Sequence, residues 1–292
     1  MEVKRVGILS PGDMGAGIGS VLHQTGLDVL TSLEGRSRLT RQRSEEAGIR
    51  DAGSIDDLVR ESDVLLSVLV PSEAQAVASQ VAAAMRRSGA MPVFVECNAI
   101  APQTVLAIEQ VIRSAGGGFI DAGIIGGPPR APGGGTHFRC SGPDTAAFEA
   151  LAGHGLDVQV VGPKIGQASG LKMVYAASTK GTTAVWTELL VAARALDLEE
   201  ALKRELGAAF ERQAGSVTAM PRRARRWVGE MEEIAATFEA LGLTPRILLG
   251  AADIYRVVSE TPLADQTSRE PDPTLDAALD GLTKALRKGE QK

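Results

Sequence analysis

The chain changes its hydrophobic pattern near residue 162, and this change limits the folds that it can adopt. Before that point, short runs rich in β-branched residues alternate with segments of helical periodicity. The predicted strands are 3–9, 29–33, 63–70, 92–96, 119–121, 136–140 and 158–161. The predicted helices are 14–24, 37–47, 72–86, 102–114 and 143–151. Such alternation predicts a mostly parallel, doubly wound sheet of the Rossmann type, although the last three strands are close together and are expected to complete the sheet differently.

The strand signals stop after Gly162, and alanine- and leucine-rich helical patterns continue to about Arg256. Residues 261–274 contain three prolines and read as a loop before a last helix at 275–287. The predicted fold class is therefore α/β, with an N-terminal Rossmann sheet followed by an all-α domain. We place the domains at residues 1–162 and 163–292.

Composition excludes several classes of function. A net charge of −5 without a long basic run argues against nucleic-acid binding. The two cysteines lack metal-ligand spacing, so neither a metal site nor a disulfide framework is expected. The first apolar run is too short for a signal peptide, and no stretch of about 18 apolar residues suggests a membrane span. We therefore expect a cytoplasmic protein that acts on a small molecule.

The stretch ILSPGDMGAG at residues 8–17 joins the first predicted strand to the first predicted helix. Gly12 and Gly15 match the second and third glycines of a dinucleotide-binding turn, whereas Ser10 replaces the first. We expect Ser10 to form the bend with a negative φ, helped by Pro11. An ordinary strand-to-helix turn is the alternative. The predicted cofactor contacts in this turn are Ser10, Pro11, Gly12, Asp13, Met14 and Gly15.

The sequence LEGRSR after the second strand is ambiguous about the cofactor. Glu34 stands where a carboxylate would bind the ribose 2′-hydroxyl of NAD(H). Arg36 and Ser37, with a second arginine at position 38, suit the 2′-phosphate of NADP(H). These residues favour NADP(H), with NAD(H) still possible. An ion pair between Glu34 and Arg38 at a helix start is the alternative interpretation.

Five segments in order resemble a known family. They are residues 6–17, LVP at 69–71, ECNAIAPQT at 96–104, FIDAGIIGGPP at 119–129 and GPKIGQASGLKMVYAA at 162–177. Together they resemble the β-hydroxyacid dehydrogenases, relatives of 6-phosphogluconate dehydrogenase. Residues 225–245 are similar to a poorly characterised, phosphogluconate dehydrogenase-like C-terminal domain of that superfamily. The resemblance implies an NAD(P)-binding Rossmann domain, an all-α domain that forms a homodimer, and an active site in the cleft between them.

The resemblance also implies roles for single residues. Lys172 corresponds to the family lysine that exchanges a proton with the substrate hydroxyl, although a surface lysine is the alternative without the surrounding motif. Tyr175 lies one helical turn later and is expected to assist it. Asn98 falls near the nicotinamide, or is a turn residue bonded to its own backbone. Further cofactor contacts are Leu69, Val70 and Pro71.

The substrate motif departs from the family. Ile125 replaces a serine that holds a substrate carboxylate, while Tyr175 and Ala176 replace paired asparagines. We therefore expect a substrate that is bulkier or less polar than a small 3-hydroxyacid, or one held by other groups. The expected substrate contacts are Asn98, Ile124, Ile125, Gly126, Gly127, Lys172, Tyr175, Ala176, Thr179, Trp227 and Met231. The last two follow a helical repeat that is more typical of a core or a dimer interface.

Three functions are consistent with these residues. The first is an NAD(P)-dependent oxidoreductase that interconverts a secondary alcohol, such as a hydroxyacid, and its carbonyl, with Lys172 as proton donor and acceptor. The second is an imine reductase on the same scaffold, which the retained lysine weakens. The third is a non-catalytic NADP(H)-binding sensor, which would not need that lysine.

Overall fold

The computed structural model describes residues 2–266 and 270–288. Contacts between Cα atoms divide the chain into two compact units, Met1–Met173 and Val174–Lys292. In the first unit the strands are β1 (Arg5–Leu9), β2 (Asp28–Thr31), β3 (Arg50–Asp51), β4 (Val64–Ser67), β5 (Val93–Glu96), β6 (Gly118–Ile125), β7 (His137–Ser141) and β8 (Asp157–Gly162). The helices that accompany them are α1 (Asp13–Gln24), α2 (Arg38–Glu46), α3 (Ile55–Glu61), α4 (Ala74–Ser88), α5 (Pro102–Ser114) and α6 (Ala146–Glu149).

The strands form one sheet in the order β3-β2-β1-β4-β5-β6-β7-β8. All neighbouring strands are parallel except β6 and β7, which are antiparallel. This confirms the α/β prediction and the expectation that the last strands complete the sheet differently. The strand order reverses between β1 and β4, and ligands of open α/β sheets bind outside the carboxyl ends of the strands at such a switch point.

Apolar residues are buried on both faces of the sheet. One cluster packs Ile18 and Leu22 of α1 around strand residues such as Ile8. The other packs Met85 of α4 around strand residues such as Phe94. Ile18 and Leu22 are four residues apart and therefore lie on one side of α1. The parallel strands are consequently covered by helices on both sides, as buried parallel sheets require.

Two elements were missing from the sequence-based prediction, and one was too short. Strand β3 has only two residues, both exposed, and α3 buries only Leu58 and Val59. Neither gives a hydrophobic repeat that can be read from the sequence. Strand β6 continues to Ile125, beyond the predicted end at Asp121, because it pairs with β5 at its beginning and with β7 at its end.

The second unit is all-α, as predicted. Its helices are α8 (Thr182–Ala195), α9 (Glu199–Leu206), α10 (Ala208–Ala219), α11 (Ala224–Ala240), α12 (Arg246–Ser259) and α13 (Leu275–Lys288). Trp227 of α11 meets Tyr255 of α12 edge to face, with ring centroids 5.2 Å apart. The predicted loop contains a short turn at Pro262–Asp265, while residues 267–269 lie outside the described residues. In the part of the chain that the structure describes, no helix has the length and apolar character to cross a membrane.

Helix α7 (Gln167–Ala176) joins the two units. Its first residues group with the sheet, so the division after Met173 differs from the boundary that we predicted at residue 162. The physical reason is that Gly166 and Ala168 donate backbone hydrogen bonds to the Asp121 side chain of β6. Lys172 therefore belongs to the first unit. The homodimer stays a prediction.

Candidate active site

The turn between β1 and α1 leaves room for an anion. A Cβ added at Gly15 would lie 2.8 Å from the Ser10 carbonyl oxygen, so the close packing of helix and strand requires glycine there. A Cβ added at Gly12 would meet no atom within 4 Å. Gly12 also precedes the first residue of α1, and no side chain caps that helix end. The first amides of α1 can therefore bind a phosphate, which the helix dipole also favours.

The conformation predicted for Ser10 is wrong. Its φ is +76°, in the left-handed region, rather than negative. The Ser10 carbonyl accepts a hydrogen bond from the Gly12 amide at 2.9 Å, which closes the bend around Pro11. A non-glycine residue in this conformation costs about 1–2 kcal/mol. The position at which dinucleotide-binding turns carry their first glycine thus keeps a left-handed backbone although a serine occupies it.

A depression of about 250 Å³ adjoins this turn and is lined by Ser10, Ser32, Glu34 and Arg36, among others. Arg41 supports its rim, because its guanidinium donates to the Leu33 carbonyl at 2.5 Å. The predicted contact Ser37 has a further role, since its hydroxyl oxygen accepts the Thr40 amide and caps α2. The alternative ion pair between Glu34 and Arg38 is not formed among the described residues.

These two features fit a dinucleotide. The amides at the start of α1 and the open space over Gly12 would take the pyrophosphate. Glu34 and Arg36 line the place where the adenosine ribose would lie. Ser10 belongs to both features, which places them side by side at the sheet edge where the strand order reverses.

Asn98 connects the ends of β4 and β5. Its side-chain oxygen accepts the Leu69 amide, and its side-chain nitrogen donates to the Ser67 hydroxyl at 2.9 Å. Its own amide donates to the Glu96 carboxyl at 2.9 Å. The side chain of Asn98 is therefore a brace that shapes the backbone before Val70, which is exposed, and Pro71. Its predicted contact with the nicotinamide stays a prediction.

Two buried carboxyl groups, Glu96 and Asp121, are side by side in the register of β5 and β6. Burial raises the pKa of Glu96 to about 8 and also raises the pKa of Asp121, although the hydrogen bonds that Asp121 accepts from Ser169, Ser141 and Gly166 favour its charged form. One oxygen of each carboxyl has no hydrogen-bond partner among the described residues. A raised pKa favours the neutral form of Glu96, which reduces the repulsion between the two groups. Sequence reasoning assigned no role to either acid, although both lie in segments that carry the family resemblance, residues 96–104 and 119–129.

Lys172 is on the second turn of α7 and is partly buried. Its ammonium group donates a hydrogen bond to the Ile124 carbonyl of β6. A Cβ added at Gly123 would lie 3.0 Å from the Lys172 Cβ and 3.0 Å from the Ala168 carbonyl oxygen. Glycine therefore lets the helix backbone approach the strand. This environment differs from that of a surface lysine, and it holds a proton donor near the carboxyl end of a central strand.

The other predicted substrate contacts of the first unit are at the end of β6. Ile124 turns its side chain inward, where it is buried, and presents its carbonyl to Lys172. Ile125 is the last residue of the strand. Gly126 has a φ of +116°, and a Cβ there would lie 2.8 Å from the Gly135 carbonyl oxygen. The backbone thus turns sharply beside Lys172, and Gly127 follows with no atom within 4 Å of an added Cβ.

The remaining predicted residues belong to the second unit. Tyr175 and Thr179 are exposed, whereas Ala176, Trp227 and Met231 are buried. The Trp227 ring packs against the Tyr255 ring, so its contacts within this unit are those of a core residue. Sequence reasoning missed a second lysine, Lys180, which is buried in an ion pair with Glu230 and has its nitrogen 5.6 Å from the Trp227 ring centroid.

The fold and the turn at Gly12 define a protein of the NAD(P)-binding Rossmann class. A family model described as the NAD binding domain of 6-phosphogluconate dehydrogenase matches residues 5–153. A second model, a domain of unknown function (DUF1932), matches residues 193–258. The chain therefore belongs to the 6-phosphogluconate dehydrogenase-like family, as its motifs indicated.

Solved structures and a curated protein are similar to this chain. The chain is 31% identical to a conserved protein of unknown function whose structure resembles 3-hydroxyacid dehydrogenases, with a TM-score of 0.67 over 87% of this chain and 97% of that one. It has the fold of Mycobacterium tuberculosis 3-hydroxyisobutyrate dehydrogenase, solved with L-serine (18% identity, TM-score 0.69, 96% and 99% covered). An imine reductase variant from Myxococcus stipitatus, solved with NAD+, has the same fold. It is 18% identical, with a TM-score of 0.57 over 98% of this chain and 100% of that one. A curated relative from Methanothermus fervidus, an uncharacterised 28.5 kDa protein, is 28% identical over 68% of this chain and 74% of its own length.

Proposed function

We propose that this protein interconverts a secondary alcohol and its carbonyl compound with NAD(P) as the hydride carrier. The observation that carries the proposal is the hydrogen bond of the Lys172 ammonium to the Ile124 carbonyl. It holds a proton donor near the carboxyl end of β6, at the same edge of the parallel sheet as the Gly12 turn. The bound nicotinamide supplies or accepts the hydride.

Lys172 is the residue that handles the proton. During carbonyl reduction, its ammonium would stabilise the negative charge that develops on the substrate oxygen and then donate a proton to it. In the opposite direction, the neutral amine would accept the hydroxyl proton. The Ile124 carbonyl orients the amine but cannot take the proton, because a backbone carbonyl is only a hydrogen-bond acceptor. We propose that the protein acts on hydroxyacids or related compounds in this way.

A second candidate function is the reduction of an imine. It is favoured by Ile125, whose side chain offers no hydrogen bond to a carboxylate, and by imine reductases among the proteins of the same fold. The ammonium of Lys172 could donate a proton to an imine nitrogen as well as to a carbonyl oxygen. The two functions differ in the atom that is protonated, and substrates distinguish them.

A direct test is a panel of hydroxyacids, simple secondary alcohols and cyclic imines assayed with each cofactor. We expect turnover of at least one alcohol or hydroxyacid, measured as the change in absorbance of the reduced nicotinamide. Exclusive turnover of imines would favour the second candidate. Tight cofactor binding with no turnover in the panel would contradict both and would favour a sensor.

We propose that NADP(H) is the preferred cofactor, because Arg36 lines the depression at the adenosine end of the site. Arg36→Ala should weaken NADPH binding about 10- to 150-fold, which corresponds to the loss of one charge-assisted hydrogen bond of about 1.5–3 kcal/mol. NADH binding should be nearly unchanged, since it has no 2′-phosphate. Titration of cofactor fluorescence measures both dissociation constants. The control is Arg86→Ala, which removes an exposed arginine at the end of α4. Equal losses of NADPH and NADH affinity in Arg36→Ala would contradict the preference for NADP(H).

A further inference from the structure

The Asp121 carboxylate binds the beginning of α7. Its Oδ2 accepts the amides of Gly166, Ala168 and Ser169 at 2.9, 3.1 and 3.1 Å. The hydroxyls of Ser169 and Ser141 donate to the same oxygen at 3.2 and 3.0 Å. The first amides of a helix have no acceptor within the helix, and the helix dipole attracts a negative charge to that end. One oxygen of Asp121 therefore supplies the acceptor that α7 lacks.

These contacts join parts of the chain that are far apart in sequence. Asp121 lies 45 to 48 residues before its amide partners and has no exposed surface. Ser141 is its opposite residue in the antiparallel pair of β6 and β7, and the Ser141 oxygen accepts the Ala168 amide at 2.9 Å. Two neighbouring strands therefore hold one helix end. The several donors compensate for burying a charge that would otherwise be costly.

The same strand also contacts Lys172. Lys172 follows Ala168 by four residues and Ser169 by three, so it lies on the same side of α7. Its ammonium binds the Ile124 carbonyl, three residues after Asp121 in β6. Between these two contacts, Gly123 lets the helix approach until an added Cβ would be 3.0 Å from Lys172 Cβ. All of these residues belong to the first unit.

We propose that Asp121 is a positioning residue for Lys172, which acts by fixing the start of α7 on β6 through its charged carboxylate. The proposal rests on the proposed function, in which Lys172 carries the proton. A helix rises about 1.5 Å per residue and moves as a rod, so a shift at Ser169 is transmitted to Lys172 one turn later. A displacement of about 1 Å at a reacting group is enough to reduce a rate about 100-fold.

Asp121→Asn tests the proposal with little change in shape. Asparagine keeps one acceptor oxygen but removes the charge that strengthens each hydrogen bond. We expect kcat to fall about 10- to 100-fold, with KM and the cofactor dissociation constant changed less than about twofold. The control is Asp144→Asn. Asp144 is exposed and accepts the Ala146 amide at the start of α6, a helix that does not carry Lys172. An equal loss of kcat in the control would overturn the proposal.

A double-mutant cycle separates positioning from a general structural role. If Asp121 acts through Lys172, Asp121→Asn should reduce kcat in the native protein but not in Lys172→Ala. A loss of the same size in both backgrounds would overturn the proposal.

A second readout does not need turnover. Reductive methylation with ¹³C-formaldehyde labels lysine amines, and the Lys172 signal is identified by its absence in Lys172→Ala. We expect Asp121→Asn to move that signal in the NMR spectrum and Asp144→Asn to leave it in place. A moved signal in a protein that turns over no substrate supports the positioning of Lys172 while contradicting the proposed function. An unmoved signal overturns the positioning role itself.

A milder variant covers the case in which Asp121→Asn does not fold, as judged by circular dichroism. Ser141→Ala removes one hydroxyl that donates to Asp121 and accepts from Ala168. It should move the Lys172 signal in the same direction and reduce kcat about 3- to 10-fold, the equivalent of one ordinary hydrogen bond. A Ser141→Ala protein with an unmoved signal would also overturn the proposal.

Discussion

Replacing Lys172 by alanine should reduce kcat about 100- to 10,000-fold, the contribution usual for a positioned acid or base. The side chain is partly buried and donates to the Ile124 carbonyl, so alanine removes the proton donor from the edge of the sheet where the cofactor would bind. Cofactor binding should be unchanged, because the Gly12 turn and the Arg36 depression are built from other residues. Steady-state kinetics on the best substrate of the panel, with a parallel fluorescence titration of NADPH, measure both quantities.

The matched control for this variant is Lys164→Ala. Lys164 precedes α7 by three residues and is exposed, so its removal changes the charge by the same amount without touching β6. Full activity in Lys172→Ala, or an equal loss in Lys164→Ala, would contradict the proton-transfer role. Partial recovery of Lys172→Ala by added small primary amines would support it further.

Replacing Gly12 by alanine should weaken cofactor binding about 10- to 150-fold while the protein remains folded. The new methyl group would occupy the open space over the start of α1 and keep the pyrophosphate from the helix amides. The loss of one charge-assisted hydrogen bond, about 1.5–3 kcal/mol, gives this range. Stability should be unchanged or higher by up to about 1 kcal/mol, because φ at Gly12 is −68° and suits alanine. Fluorescence titration and thermal unfolding measure the two effects.

Gly153→Ala is the control, since a Cβ there also meets no atom within 4 Å but lies away from the turn. It should leave the cofactor dissociation constant unchanged. Wild-type affinity in Gly12→Ala would show that no phosphate approaches this helix end, and the position of the cofactor would have to be revised.

The sheet was predictable from local patterns because a buried parallel strand must be apolar along its whole length. The predicted bounds of β5, residues 92–96, differ from the observed strand by one residue. The predicted bounds of α5, residues 102–114, agree with the observed helix. Strand β3 and helix α3 were missed because they bury few side chains. Periodic apolar residues occur where one face of an element is buried, so an element with few buried side chains has no such pattern in its sequence.

The site was only partly predictable. Motifs pointed to the glycines of the first turn and to Lys172 as candidate site residues, and these roles stay predictions, whereas the φ of Ser10 was predicted with the wrong sign. Proline fixes its own φ and ordinarily pushes the residue before it into an extended conformation with negative φ, so local chemistry gave no sign of the left-handed Ser10. The wrong sign arose because the bend is imposed by the packing of α1 against β1, where Gly15 approaches the Ser10 carbonyl.

Local sequence patterns were enough to predict the α/β sheet and the helical second part, and they marked the turn at Gly12 and Lys172 as candidate site residues. These features depend on the order of residues within a few turns or strands. Tertiary contacts alone revealed that Asp121 and Ser141 bind the start of the helix that carries Lys172, and that the buried Glu96 is next to Asp121 in the sheet. Hydrogen-bond partners separated by more than 40 residues depend on strand register and on the close contact at Gly123, which no local pattern records.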